Sequence, residues 1–226
     1  MKVLIACEES QEVCKAFRAL GHEAYSCDIQ EPSGGHPEWH ILGDALKAIE
    51  GGQLSTMDGR LHNVGKWDLL IAHPPCTYLT NAGARHIWKG GQLQPDRVRM
   101  GILARDLFMR FWYADIPRVV IENPVPSKIF CLPEYSQIVQ PFQFGHAVTK
   151  KTCLWERGVL PLKPTNIVEP VKGRKMVLRN GTVRYSCWEM DCGGSKEERA
   201  KARSKTFPGI ARAMAEQWGG DVREEL

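Results

Sequence analysis

The chain has 226 residues, 43% of them hydrophobic, and 30 basic against 26 acidic side chains leave a net charge of +4. That is enough apolar material for one full core, which excludes a disordered tail protein, and the charge permits contact with nucleic acid without requiring it. No stretch reaches the roughly 18 to 20 apolar residues needed to cross a bilayer, and the apolar start is too short for a secretory leader. A soluble, cytoplasmic protein is therefore expected, its eight cysteines reduced rather than paired in a disulfide framework.

Residues 2–6 (KVLIA) read as a short buried strand, and residues 11–20 set Val13, Ala16, Phe17 and Leu20 at helical spacing before Gly21. Residues 23–27 make a second strand leading to Asp28, an acidic group where a nucleoside-binding sheet places one. The stretch 31–40 is rich in Pro, Gly and His and reads as a loop; His36 and His40 lack the helix that would align them as ligands, and no metal site is expected. Asp44 opens a further short element. Residues 66–72 form a strongly apolar strand that stops at His73-Pro74-Pro75-Cys76, the carboxyl edge at which open parallel sheets bind ligands.

Gln94-Pro95-Asp96 starts the longest helix, with Met100, Leu103, Leu107, Phe108 and Phe111 as its apolar stripe and Arg97, Arg99, Arg105 and Arg110 as a solvated face. Residues 118–121 are a strand ending at Glu122-Asn123-Pro124, which puts two polar motifs on one edge. Residues 150–155 predict another strand, and 160–195 shows no clear period. Cys187 and Cys192 are spaced more widely than a zinc knuckle and read as structural thiols. Thr206 is the expected cap of a last helix with Ile210, Ala211, Met214 and Trp218 on one face. The alternation predicts an α/β fold, a mostly parallel sheet with helices on both faces. Residues 1–155 and 204–226 would form one domain and 156–203 a short irregular insertion.

Pro74-Pro75-Cys76 after one strand and Glu122-Asn123 after another, followed by residues 204–211 (SKTFPGIA), resemble in order the nucleophile, glutamate and last motifs of the DNA cytosine-5 methyltransferases, particularly the small phage and prophage type. The resemblance covers most of the chain. It implies a Rossmann-like methyltransferase domain that transfers a methyl group from S-adenosylmethionine to carbon 5 of a cytosine flipped out of DNA. Carbon 5 is a poor nucleophile until a thiolate adds to carbon 6, so Cys76 would attack and Glu122 would stabilise the charge pushed toward ring nitrogen 3. Lys150, Lys151 and Arg85 are candidates for the positive charge that favours a thiolate.

The same resemblance implies the cofactor over Cys7, Glu8 and Ser10, with Asp28 on the ribose hydroxyls and Asp44 near the adenine amine. Pro74, Ser204 and Thr206 would complete that pocket, and Asn123, Arg85 and Lys151 would meet the substrate. The loop 78–91 would close over the extruded base. The first loop, however, lacks the family's glycines, Thr77 replaces a common glutamine, Pro124 replaces a usual valine, and residues 151–204 are far shorter than a target-recognition domain, which implies short or relaxed sequence specificity. Three other readings stay open: an amino-group methyltransferase, suggested by His73-Pro74-Pro75; an enzyme acting on a free pyrimidine nucleotide; and a catalytically silent, anti-restriction nucleic-acid-binding protein on the same fold.

Overall fold

The computed structural model describes residues 1–186 and 193–220; Cys187 and Cys192 lie outside the described residues. In chain order the first half comprises β1 (Lys2–Ala6), α1 (Glu12–Ala19), β2 (Glu23–Asp28), β3 (His40–Leu42), α2 (Ala45–Ala48), the hairpin β4 (Gly52–Ser55) and β5 (Leu61–Gly65), and β6 (Leu69–Ala72). Next come α3 (Asn81–Ala84), the hairpin β7 (Trp88–Lys89) and β8 (Gln92–Leu93), α4 (Pro95–Trp112), β9 (Arg118–Pro124), β10 (Gln137–Val139) and β11 (Thr152–Arg157). The hairpin β12 (Lys175–Val177) and β13 (Val183–Tyr185), then α5 (Lys196–Ser204) and α6 (Pro208–Met214), complete the described chain.

Seven strands form one sheet in the order β10-β11-β9-β6-β1-β2-β3. From β3 to β9 all pairings are parallel; β11 runs antiparallel to both of its neighbours. The first five strands thus follow the doubly wound pattern, with the order reversing beside β1. This is a Rossmann-like α/β fold, a mostly parallel sheet with helices on both faces.

The two faces follow from period-two alternation. Val3, Ile5, Leu69, Ile71, Val120 and Leu154 pack against α1 and α6, burying Phe17, Ile210 and Met214. Leu4, Leu70, Ile121 and Trp155 face the opposite layer, where α2 and α4 contribute Ala48, Phe108 and Phe111. Because the central strands are apolar on both faces over most of their length, their polar side chains are concentrated toward their ends.

Two sequence expectations are corrected. Met100 and Leu103 do not belong to the buried stripe of α4; they are exposed, and the helix turns Gly101, Phe108 and Phe111 inward instead. Gly101 lies so close to the Phe130 ring that an added Cβ would fall 1.9 Å from it, so the smallest residue marks the tightest contact. Thr206 does not cap the last helix: the cap position is Phe207, which offers no side-chain hydrogen bond. Instead the Gly209 N–H donates to His146 Nε2 at 3.0 Å. Among the described residues no helix is long and apolar enough to cross a membrane.

Candidate active site

Adjacent strands β6 and β9 bring Cys76 and Glu122 to one end of the sheet. β6 ends at Ala72, and the chain turns through His73-Pro74-Pro75 to Cys76, which is partly exposed. Glu122 lies within β9 rather than after it, because that strand continues through Pro124 in register with β11. Asn123, expected to meet the substrate, is buried, and its Nδ2 donates to the Pro74 carbonyl at 2.9 Å. This bond ties the two motifs together across neighbouring strands.

The residue that sequence reasoning did not place in the site is His73. Its Nδ1 lies 2.7 Å from Glu122 Oε2, with both side chains about nine-tenths buried. Burial pulls the imidazole down, but the hydrogen bond and charge of Glu122, with the Glu8 charge added, carry its pKa above the ordinary value. Burial pushes Glu122 up, yet His73 and then Lys150 bring it below the usual carboxylate range. Both shifts favour the imidazolium–carboxylate form of the pair. The available signal was a polar residue directly following an apolar strand at the ligand-binding edge.

Of the three cations considered for Cys76, the structure brings Lys150 to the site. Burial and Glu122 push the Cys76 thiol up, while Lys150 and Arg203 act in the opposite direction. Lys150 is buried and donates to the Arg203 carbonyl at 2.8 Å. Lys151 and Arg85 are exposed, and Arg85 Nε donates to the neighbouring His86 ring at 3.2 Å.

The stretch after Cys76 is a folded element rather than a plain loop. Thr80 caps α3, and Arg97 donates from α4 to the Gly83 carbonyl at 3.0 Å while its guanidinium covers the Tyr78 ring. Gly83 abuts Thr77 so closely that a Cβ would fall 1.9 Å from that carbonyl oxygen. The β7–β8 hairpin then exposes Trp88.

The first loop, after β1, lacks glycine but not the glycine-like backbone, since Cys7 holds φ 59°, a left-handed conformation costing an ordinary side chain about 1–2 kcal/mol. Glu8 turns inward and accepts from the Val13 N–H at 2.7 Å and the Cys14 N–H at 3.3 Å, at the start of α1. Burial is the main reason its carboxyl is pushed up to about 7. Ser10 is buried, and its carbonyl oxygen and the Gln11 side chain lie against Gly34 of the loop after β2, where an added Cβ would fall 2.7 Å from that oxygen. Asp28 ends β2, and Asp44 caps α2 by accepting from the Leu46 N–H at 2.9 Å. After burial, Asp28, Cys27 and Asp44 raise the Cys7 thiol, and the two acids help push Cys27 up to about 12; at the ends of β1 to β3 the Gly43 N–H donates to the Asp28 carbonyl at 2.9 Å and the Cys27 thiol donates to the Gly43 carbonyl at 3.7 Å. Ser204 is exposed, its Oγ donating to the Lys201 carbonyl at 2.9 Å, and Thr206 is buried.

No protein-family model matches the chain, and no curated protein matches it. Among solved structures it is similar to one described as a DNA modification methyltransferase encoded within an E. coli prophage, at 11% identity and a TM-score of 0.41, over 76% of this chain and 52% of that one. It is also similar to the Entamoeba histolytica methyltransferase EhMeth, at 11% identity and a TM-score of 0.38, over 77% of this chain and 58% of the other. The chain thus spans little more than half the length of either structure.

Proposed function

We propose that the chain is an S-adenosylmethionine-dependent methyltransferase acting on carbon 5 of cytosine in DNA through a covalent adduct with Cys76. The observation that carries this reading is the convergence of a partly exposed cysteine and a histidine-bound glutamate at the ends of adjacent parallel strands, held together by the Asn123–Pro74 bond. A nucleophile beside a carboxylate able to receive a base edge is what addition to a pyrimidine ring requires.

The residues around the first loop fit the cofactor. Asp28 and Asp44 supply acceptors for hydroxyl and amine groups beside a left-handed turn at Cys7. Pro74, Ser204 and Thr206 are assigned to the same pocket. S-adenosylmethionine would supply an electrophilic methyl group there.

In this reading the Cys76 thiol loses its proton as the base binds, helped by Lys150 and Arg203, and its sulfur bonds to carbon 6. The displaced π electrons would pass through carbon 5 to the transferred methyl group as S-adenosylhomocysteine leaves, while Glu122 accepts from the amino edge of the ring and, with the proton it shares with His73, would offset the charge built up at nitrogen 3. Loss of the carbon 5 proton then lets the carbon–sulfur bond break and returns the thiolate. Arg85 and Trp88, exposed on the element following Cys76, would meet nucleic acid in this reading.

Incubation with tritiated S-adenosylmethionine and cytosine-rich DNA, with Cys76→Ser in parallel, tests the reading by mass spectrometry of the digested nucleosides. The expected result is labelled 5-methylcytosine with the parent protein and none with Cys76→Ser. Methylated amino groups, or label that survives the substitution, would reject the covalent route. Label only on free pyrimidine nucleotides would move the substrate, and DNA binding with neither label nor cofactor binding would identify a silent binder.

A further inference from the structure

Glu9 is more than nine-tenths buried, yet neither carboxylate oxygen has a hydrogen-bond partner among the described residues. Its backbone is fixed, since its carbonyl accepts from the Ser33 N–H at 2.8 Å. The cation facing it is Lys201 of α5, with Nζ 3.8 Å from Oε2. That separation offsets charge through space but is too long for a hydrogen bond. Lys201 itself is half exposed. A buried carboxylate normally recovers its lost hydration through short, charge-assisted bonds, and here that capacity is unused.

We propose that Glu9 is the subsite for the primary ammonium group of a small ligand, and that Lys201 stands in for this ammonium when the ligand is absent. The position is the first loop itself, next to Glu8, which accepts from the start of α1, and beside the left-handed turn at Cys7. A ligand reaching Asp28 and Asp44 with its nucleoside end would bring an aminoacyl end toward Glu9. The inference rests on the methyltransferase reading, because S-adenosylmethionine and S-adenosylhomocysteine carry such an ammonium group on an amino-acid chain. It adds a competition: α5 must yield its lysine as the ligand enters. An ammonium donating at about 2.7–2.9 Å would give Glu9 the bonds that Lys201 does not.

Calorimetric titration with S-adenosylhomocysteine and with 5′-methylthioadenosine, which lacks the amino-acid end, separates the possibilities in the parent protein, Glu9→Gln and Lys201→Ala. Glu9→Gln should weaken S-adenosylhomocysteine at least tenfold, leave methylthioadenosine unchanged, and unfold at the parental temperature or above it, since a buried carboxyl group without hydrogen-bond partners among the described residues has been removed. Lys201→Ala should tighten S-adenosylhomocysteine several-fold. Equal affinity of Glu9→Gln and the parent for S-adenosylhomocysteine, or equal weakening of both ligands, overturns the subsite while the cofactor reading stands. An unchanged affinity in Lys201→Ala overturns the stand-in. Failure of the parent protein to bind either ligand overturns this inference and the cofactor reading together.

Discussion

The Asn123 side chain donates to the Pro74 carbonyl at 2.9 Å across 49 residues of sequence, so one buried hydrogen bond sets the distance between the nucleophile loop and the strand bearing Glu122. Asn123→Ala leaves that carbonyl without a donor and should cost about 1–3 kcal/mol, read from urea unfolding. Methyl transfer should fall further than stability does, because the loop carrying Cys76 loses its tether. An unaltered transfer rate would show that the prolines hold the loop unaided.

The His73–Glu122 pair predicts a pH window. Stabilisation from a raised histidine is complete below its ordinary pKa near 6.5 and is lost as pH rises through the raised folded value. Stabilisation from a lowered glutamate is complete above its ordinary value near 4.5 and is lost as pH falls through the lowered folded value. The pair therefore contributes most between those two values. Within that window His73→Ala should cost about 3 kcal/mol, since it strands a buried carboxylate. Denaturation midpoints of the variant and the parent that coincide at pH 6 would contradict this.

Glu8 gives a second pH dependence. Its carboxyl is pushed from 4.5 up to about 7, so its contribution is full below the lower value and is lost as pH rises through the higher one. Glu8→Gln keeps an acceptor for the Val13 N–H and removes the buried charge. At pH 8 the variant should be more stable than the parent by up to about 3 kcal/mol, with the advantage vanishing near pH 4.5. Thermal unfolding at both pH values checks the sign.

Lys150 lowers the Cys76 pKa against burial and Glu122. Lys150→Met should slow methyl transfer about tenfold at pH 7.5 through a smaller thiolate fraction, and raising the pH should recover much of the loss. A deficit that is constant across pH would instead mean that Lys150 acts by anchoring the Arg203 carbonyl.

Local chemistry was enough to place the main strands and helices. The runs at 2–6, 69–72 and 118–121 are apolar on both faces, a pattern that suits central parallel strands, and each is followed by a polar residue or a loop at its carboxyl end. Cys76 and Glu122 were legible as candidates for the same reason. The short strands β3 and β10 and the small hairpins were not, because two to five residues carry too little periodicity to stand out.

Tertiary structure decided the charge state of the site. Nothing near His73 in sequence marks Glu122 as its partner; only the parallel pairing of β6 with β9 brings together side chains 49 residues apart. The same holds for Glu9 and Lys201, which lie at opposite ends of the chain and meet because α5 folds back over the first loop. The sequence by itself determined the sheet, its ligand-binding edge and the residue types available there. Which of those residues are buried together, and hence ionised, paired or left unsatisfied, depends on long-range packing that no local pattern encodes.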